Sequence, residues 1–460
     1  MYLYSSEFEP KNPEDVTYLV PKKGIGFSLE DSCNVHVTLQ GKPFLRIRGL
    51  TPEQVNELVD RKLIREENLP EILLNRNLFC EALTDKGKVV ATAESIKQGS
   101  FSKLVVSNEQ DLKLVPCRFV VASSVVNSST TGVVLENPYF GTRIWISQDN
   151  LAELYPVAVG SKPVSELQRK FLIMLLQFGF LLPEDSDFIN SEEYQMWDTP
   201  DLYFHSRSRL GRTDHEFGGV FPYIGTKIHS RPARNTHWDS KEVRIKLPVP
   251  VTPLGSKTSL DDVMTHRHST RYFSQGNVSL EQLGEYLYRS ARVTRVIPAA
   301  SDVTEGAVYE TSHRPYPTGG AAYELEIYVT CLRVEGVDTG IYWYDPFSHE
   351  LVAVSLGAES ANQVLSSARR SAGGNVNPQI ILTLTSRLGR LNWKYRSIAY
   401  ATTLKHVGVV YQTFYLVAAD MGLGACGLGS GNSDEFGDLL GLDYLKETSV
   451  GDFMLGVADS

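Results

Sequence analysis

The chain has 460 residues, 42% of them hydrophobic and 22% charged, with a formal net charge of −9 at pH 7. This length exceeds the size at which a single hydrophobic core usually stops growing, so we expect two or three globular domains. The acidic balance removes the general attraction to phosphate on which non-specific nucleic-acid binding depends, and we expect no nucleic-acid partner.

The sequence carries no sign of a membrane or a secreted protein. No basic segment followed by an apolar run opens the chain, so no signal peptide is expected. The longest apolar run, FLIMLLQFGFLL (171–182), is too short to span a bilayer and predicts a buried helix. Five scattered cysteines favour a reducing cytoplasm over a disulfide framework. Cys33 and His36 form only half of a zinc ligand set, so no metal site is predicted.

Residues 1–98 are predicted to form a small α+β unit of winged-helix-like plan. Two strand-like runs, NVHVTLQ and FLRIRGL, precede a helix that begins at Thr51, where Gln54 completes a capping box. A second helix is predicted over LPEILLNRNLFCEAL (69–83), and KVVATAE is predicted to be a strand.

Residues 99–195 are predicted to form a second winged-helix-like unit. Strands are expected at CRFVVASSVV, GVVLEN and TRIWIS, before the apolar helix at 163–182. Folds of this kind often bind DNA, but neither unit has a basic recognition helix. A scaffold role and the binding of a peptide strand at a sheet edge both stay open. An irregular connector, 196–258, then ends in the proline-rich KLPVPVTPLGSK.

Residues 259–460 are predicted to form one α+β domain. Its first two helices begin at the capping residues Ser259 and Ser279. Strands are expected at YELEIYVTCLRV, at both arms of GIYWYDPFSHELVAV, and at the nearly all-apolar PQIILTLTS, which is typical of a sheet covered on both faces. A long helix, Tyr395–Met421, is apolar on most sides and is therefore central or in a subunit interface.

The stretch RHSTRYF (267–273) concentrates positive and hydrogen-bonding side chains in an acidic chain. From the residues alone it is either a solvated helix end or a site for an anion, with Arg267 and Arg271 on one side of a helical turn. His406 is predicted to be a hydrogen-bonded core histidine, and the aromatic run Tyr342, Trp343 and Tyr344 is predicted to serve packing.

The stretch GLGACGLGSG matches G-x-G-x-x-G at Gly422, Gly424 and Gly427. A dinucleotide-binding fingerprint must follow a strand and open a helix, whereas this one follows a helix, so that function is excluded. Gly422 is predicted to end the long helix. The later glycines could let backbone amides approach an anion or a flat ring.

In this order, the motifs resemble those of the nitroreductase-like flavoprotein superfamily, and most closely its SagB-type dehydrogenase branch, which includes the cyanobactin thiazoline oxidases. RHSTR resembles the family's Arg-Arg-Ser-x-Arg pattern, with His268 at the second arginine. PYPTGG resembles its Pro-Ser-Gly-Gly segment, with Thr318 in place of serine, and NWKYRSIAYATT resembles its Lys-Tyr motif. The likeness covers about residues 196–460, and the N-terminal half resembles winged-helix peptide clamps more loosely.

The resemblance implies that FMN is bound between the two subunits of a homodimer. RHSTR and the late glycines would hold the phosphate and ribityl chain, and the Thr-Gly-Gly segment would meet the flavin of the partner subunit. The cofactor-binding residues implied are Arg267, His268, Ser269, Arg271, Pro317, Thr318, Gly319, Gly320, Gly427, Leu428 and Gly429.

The resemblance also implies a catalytic pair, Lys394 and Tyr395, that takes a proton while a hydride passes to flavin N5. The substrate would be a precursor peptide whose thiazoline or oxazoline rings are oxidised to azoles, with O2 reoxidising the flavin and a heterocyclase acting earlier as a further partner. From the residues alone, Lys394 could equally be an exposed lysine at a helix start. Two alternatives stay open: an NAD(P)H-dependent nitroreductase of small molecules, and a non-catalytic protein that docks the peptide.

Overall fold

The computed structural model describes residues 18–22, 25–31, 34–39, 42–47, 50–60, 64–65, 78–97, 103–104, 113–126, 131–213, 215–251, 258–300 and 309–459. The chain divides into two compact units, Met1–His215 and Glu216–Ser460. In the described ranges, no helix is long and apolar enough to cross a membrane. The same residues contain no group of three or more His, Cys, Asp or Glu side chains that could hold a metal ion. Cys33 lies outside them.

The first unit is mainly antiparallel β-structure with short helices. Its strands are β1 Tyr18–Pro21, β2 Ile25–Asp31, β3 Asn34–Leu39, β4 Lys42–Ile47, β5 Ile64–Arg65, β6 Phe79–Asp85, β7 Lys88–Ser95, β8 Leu114–Pro116, β9 Val121–Val126, β10 Thr131–Asn137, β11 Thr142–Ser147 and β12 Leu181–Pro183. Its helices are α1 Pro52–Asp60, α2 Leu151–Ala158, α3 Glu166–Gln177, α4 Asp187–Asn190, α5 Glu192–Met196 and α6 Thr199–Ser208.

One sheet in this unit takes strands from both sides of residue 98, in the order β5-β1-β6-β7-β11-β10-β9. Strands β7 and β11 are antiparallel neighbours, from Ser95 opposite Thr142 to Ala91 opposite Ile146. Helices α2 and α3 cover this sheet with apolar side chains such as Leu154. Strands from both sides of residue 98 thus share one sheet. The predicted division of this unit at residue 98 into two winged-helix-like units stays a prediction.

The capping box of α1 is confirmed, because the Thr51 and Gln54 side chains each accept a hydrogen bond from the other residue's amide. The helix predicted over 69–83 is wrong for its last residues, which belong to β6. That strand pairs with β1 and β7, so pairing between strands decides the conformation of this apolar run. Residues 69–77 of the prediction lie outside the described residues.

The second unit is an α+β domain. Its strands are β13 Gly218–Gly219, β14 Arg244–Lys246, β15 Arg295–Ala300, β16 Tyr309–His313, β17 Leu325–Cys331, β18 Gly340–Asp345, β19 Glu350–Leu356, β20 Ile380–Arg387, β21 Tyr395–Arg396, β22 Gly424–Leu428 and β23 Glu447–Gly456. Its helices are α7 Leu260–His266, α8 Leu280–Ala291, α9 Ala358–Ala372, α10 Leu388–Asn392, α11 Ala399–Asp420 and α12 Ser433–Leu440.

An antiparallel sheet in the order β14-β19-β18-β17-β20-β23-β22 forms the centre of this domain. Helices α8 and α11 pack on one face through side chains such as Leu283 and Phe414. Helices α9 and α12 pack on the other face through Val364 and Phe436. Because both faces are covered, all residues of β20 are buried, as its apolar sequence predicts. The predicted α+β class is confirmed.

Local signals in this domain correctly predict several element ends. Ser259 accepts a hydrogen bond from the Asp262 amide, and Ser279 and Gln282 form a complete capping box. Gly422 ends α11 with a φ of 67°, a conformation that favours glycine. Gly424 and Gly427 lie in β22 rather than in a turn between a strand and a helix, as a dinucleotide fingerprint would require, so its exclusion is confirmed.

Candidate active site

Lys394 lies between α10 and the short strand β21, which pairs with β13. Its Nζ donates a hydrogen bond of 2.6 Å to the phenol oxygen of Tyr309, at the start of β16. That phenol in turn donates to the carbonyl oxygen of Gly320 at 3.0 Å. The amine is half-buried, so the interpretation of Lys394 as a fully exposed lysine is wrong.

Gly320 is the contact point between the predicted Lys394–Tyr395 pair and the predicted Thr-Gly-Gly segment. Its φ is 60°, and a Cβ atom there would overlap Lys394 Nζ and lie 2.9 Å from the phenol oxygen of Tyr395. The positive φ favours glycine at this position, and a larger residue would displace the ends of the Lys394 and Tyr395 side chains. The predicted catalytic pair and the predicted Thr-Gly-Gly segment are therefore neighbours, although the residue that hydrogen-bonds Lys394 is Tyr309 rather than Tyr395.

Aromatic rings surround the Lys394 amine. Its Nζ lies 5.3 Å from the ring centroid of Phe221, 5.0 Å from that of Tyr309 and 5.4 Å from that of Tyr395. Trp393 packs edge-on against Phe221. Aromatic rings at these distances hold the lysine nitrogen in place and limit its contact with water.

The backbone around Lys394 is strained. Four of the six described non-glycine residues with positive φ lie here: Phe221 (48°), Ala321 (51°), Tyr323 (45°) and Ser397 (61°). Such conformations cost about 1–3 kcal/mol each and persist only where the surroundings enforce them, which happens most often at functional sites.

A buried hydrogen-bond chain supports the same segment from behind. The Gly319 amide donates to His406 Nε2 at 2.7 Å, and His406 Nδ1 lies 2.7 Å from a carboxylate oxygen of Glu324. His406 is buried, as predicted for a hydrogen-bonded core histidine, and it is bonded directly to the predicted cofactor segment. Thr318 accepts from the Tyr323 amide, and Pro317 is exposed.

The RHSTR segment forms a second cluster. Helix α7 ends at His266, and Arg267 has φ −60° and ψ 122°, so the helical turn predicted for Arg267 and Arg271 is wrong. The segment continues beside β22, where the Thr270 amide donates to the Ala425 carbonyl at 2.8 Å. Arg267 is half-buried at the start of this segment, and Arg271 is exposed at its end.

Tyr415, on α11, joins this segment to the late glycines. Its phenol lies 2.9 Å from Ser269 Oγ and accepts from the Gly427 amide at 2.7 Å. The Arg267 guanidinium lies 5.2 Å from the centre of its ring. Sequence reasoning misses Tyr415, because only its position on the central helix relates it to both motifs.

The remaining predicted residues of the second cluster lie around it. Arg271 and His268 are exposed, and His268 Nδ1 lies 3.0 Å from the His266 carbonyl oxygen. Gly429 is exposed, and open space surrounds the position of a Cβ atom there. Leu428 is buried, with its carbonyl oxygen 3.4 Å from the Tyr411 phenol.

The two clusters do not meet within one chain. His406 and Tyr415 are nine positions apart on α11. At 100° and 1.5 Å per residue, they project from opposite sides of the helix, about 14 Å apart along its axis. The structure thus brings together Lys394, Tyr395, Gly319 and Gly320 on one side, and Arg267, Ser269 and Gly427 on the other.

The part of the chain that contains most of this site matches a known protein family. The model of the nitroreductase family matches residues 264–457. This segment is therefore similar to the nitroreductase family. Proteins of this family typically bind a flavin. The matched segment begins inside α7 and ends in the last residues of the second unit, so it contains Lys394, Gly320 and the RHSTR segment.

Two curated proteins are similar to part of this chain. MJ1384 of Methanocaldococcus jannaschii, a candidate nitroreductase, is 29% identical over 181 residues, which cover 39% of this chain and 83% of that protein. The microcin B17-processing protein McbC of Escherichia coli is 32% identical over 116 residues, which cover 24% of this chain and 42% of that protein. The match thus spans less than half the length of McbC.

Among solved structures, a chain of the Escherichia coli microcin synthetase McbBCD complex with truncated pro-MccB17 bound is 19% identical. It has a TM-score of 0.35, with 60% of this chain and 99% of that chain covered.

Proposed function

We propose that this protein is an FMN-dependent oxidase that converts azoline rings in a precursor peptide to azoles. The observation that carries the proposal is the convergence of Lys394, Tyr309 and Tyr395 on Gly320 inside a nitroreductase-family domain. The similarity to a microcin B17-processing protein supports a processing reaction on a peptide. The finer likeness to cyanobactin thiazoline oxidases is part of this proposal.

The second cluster fits the phosphate of FMN. Arg267 and Arg271 form no ion pair with any carboxylate that the structure describes. Two such guanidinium groups, four residues apart, can give a phosphate dianion paired, charge-assisted hydrogen bonds. Ser269 adds a hydroxyl, and the open space at Gly429 leaves room for a bound group. His268, beside them, is proposed to face the ribityl chain.

FMN supplies, when bound, a hydride acceptor at its N5 atom. Removing two hydrogens from an azoline also requires a base for the proton, and the Lys394 amine is the candidate. Tyr309 accepts a hydrogen bond from that amine, and its own hydroxyl proton points to the Gly320 carbonyl. The phenol therefore fixes the amine, and Tyr395, whose phenol lies beside the same glycine, is proposed to orient the substrate ring.

The placement of the clusters on opposite sides of α11 supports a homodimer. One FMN cannot contact both clusters of a single chain without passing around the helix. Two copies related by a twofold axis can combine the arginine cluster of one chain with the Lys394 cluster of the other. The proposed enzyme is therefore a homodimer with two composite sites.

Reduction of small nitro compounds by NAD(P)H is the second candidate function. It is favoured by the similarity to MJ1384, most of whose length the match covers. It leaves the first unit of about 215 residues without a role, whereas a peptide-processing enzyme can use that unit to hold its substrate.

Mass spectrometry tests the proposal. Incubation of the purified protein with a synthetic peptide that carries one thiazoline ring and with O2 should lower the peptide mass by two hydrogens, without added NAD(P)H. Stopped-flow absorbance provides the contrast, since rapid bleaching of the flavin by NADPH with no change in peptide mass would favour the nitroreductase instead. Protein that purifies without a flavin absorbance band would contradict both.

A further inference from the structure

Glu324 and His406 form a buried pair behind the Gly319–Gly320 turn. Both side chains are buried, and Glu324 is fully so. Their two contacts, from the Gly319 amide to His406 Nε2 and from His406 Nδ1 to Glu324, are both 2.7 Å. A core histidine could be satisfied by any nearby acceptor, but this one accepts from a backbone amide of the proposed active site.

The partners of the ring assign its protonation. Because Nε2 accepts from an amide N–H, it carries no proton, so the single proton of the neutral ring is at Nδ1. Glu324 accepts that proton's hydrogen bond and thereby selects the tautomer. A proton at Nε2 would place two donors against each other and open the contact with Gly319.

The hydrogen bond from the Gly319 amide to His406 determines which backbone N–H groups of the Gly319–Gly320 turn stay free to bind another group. With the Gly319 N–H held by His406, the Gly320 N–H is the glycine donor left, and no described group accepts from it. The turn is anchored at both ends, since Tyr309 bonds the Gly320 carbonyl and Arg390 donates twice to that of Ala322, at 2.6 and 2.9 Å. These contacts hold a segment whose positive φ angles would otherwise relax.

We propose that Glu324 and His406 are positioning residues that fix the Gly319–Gly320 turn, so that only the Gly320 amide faces the flavin and Lys394 keeps its place beside it. The inference rests on the proposed function for the role of Lys394. The hydrogen bonds from Gly319 to His406 and from His406 to Glu324 are seen directly in the structure and do not depend on the proposed function.

Hydrogen exchange measured by mass spectrometry tests the chain without any substrate. In His406→Leu, which keeps a similar volume, peptides covering 318–323 should exchange about tenfold faster than in the wild type. His406→Gln, whose amide oxygen can accept from Gly319, should restore most of the protection. Thr413→Val is the matched control on α11, because the Thr413 hydroxyl bonds only within its own helix, and it should leave the exchange unchanged.

Flavin and kinetic readouts then separate positioning from folding. His406→Leu should shift the visible spectrum of the bound flavin and lower kcat about tenfold with KM nearly unchanged, and His406→Gln should reverse both. Unchanged exchange and an unchanged spectrum in His406→Leu would overturn the inference while leaving wild-type oxidation intact. Wild-type protein that fails to oxidise the azoline peptide, yet loses protection in His406→Leu, would overturn the proposed function alone. If His406→Leu does not fold, Glu324→Met, which removes the acceptor at His406 Nδ1 and keeps a similar volume, provides the exchange test, and full protection there would contradict the role of the carboxylate.

Discussion

The Lys394 amine has a hydrogen-bond partner that its sequence neighbours do not reveal. Tyr309 is 85 residues earlier in the chain, and it approaches Lys394 because β16 and the Gly319–Gly320 turn lie beside the end of α10. Its phenol links the amine to the Gly320 carbonyl, so it fixes the amine relative to the turn. Tyr395 lies near the same glycine but has no such bond to the amine.

Substitution of Lys394 should therefore separate chemistry from cofactor binding. Lys394→Met should lower kcat for azoline oxidation by about 10²–10⁴-fold, since it removes the base but leaves the arginine cluster intact. Tyr309→Phe, which removes one hydrogen bond to the amine, should cost about tenfold. Peptide mass spectrometry gives the rates, and flavin absorbance gives the cofactor content.

Lys405→Met is the control for the lysine, because Lys405 is exposed on α11. It should change neither rate nor flavin content. Full activity of Lys394→Met would show that Lys394 is not the base. A larger loss of activity in Tyr395→Phe than in Tyr309→Phe would show that Tyr395, as the sequence predicts, is the tyrosine that assists the lysine.

At the level of elements, the central ladder between β20 and β23 contains a carboxylate that burial makes hard to ionise. Asp452 is opposite Thr383, whose hydroxyl donates to it at 2.6 Å. Burial raises the pKa of Asp452 to about 6. An unfolded aspartate has a pKa of about 3.9, so between these values the folded protein keeps a proton that the unfolded chain has lost. Stability should therefore fall as the pH rises from about 4 to about 6, by up to about 3 kcal/mol.

Asp452→Asn should remove that loss, because the amide resembles the protonated acid and can still accept from Thr383. Urea unfolding of the full chain at pH 5 and pH 8 measures it, with a smaller difference between the two pH values expected in the variant. Asp459→Asn, at an exposed position, is the control and should leave the wild-type difference in place. An equal pH difference in wild type and Asp452→Asn would show that Asp452 ionises without cost.

Elements that depend on local signals could be predicted from the sequence, and those that depend on distant pairing could not. The capping boxes at Thr51 and Ser279 and the end of α11 at Gly422 need only nearby residues. The run at 79–83 is a strand because β1 and β7 are available to pair with it. RHSTR leaves the helical conformation for a similar reason, since the Thr270 amide bonds to the Ala425 carbonyl on β22.

The residues of the candidate site also fall into those that local motifs predict and those that only the fold brings into place. The motifs predict Lys394, Gly320 and Arg267 because each has a local pattern. They miss Tyr309, Phe221 and Tyr415, which are placed by the sheet and by the central helix. The motifs also do not predict where the two clusters lie relative to each other. That follows only from the positions of His406 and Tyr415 on opposite sides of α11.

At the scale of the whole molecule, the opposite placement of the two clusters predicts that an active site needs two chains. Co-expression of Lys394→Met with the double variant Arg267→Ala/Arg271→Ala, each with a different affinity tag, allows the hybrid dimer to be purified. In a composite arrangement, one of its two sites receives both defects, and the other receives an intact arginine cluster and an intact Lys394. The hybrid should therefore bind one FMN per dimer and oxidise the azoline peptide at about half the wild-type rate per dimer. Differently tagged copies of the same variant should stay inactive and exclude tag effects. If each site lay within one chain, both sites of the hybrid would be defective, so an inactive hybrid that still runs as a dimer in size-exclusion chromatography would contradict the composite site.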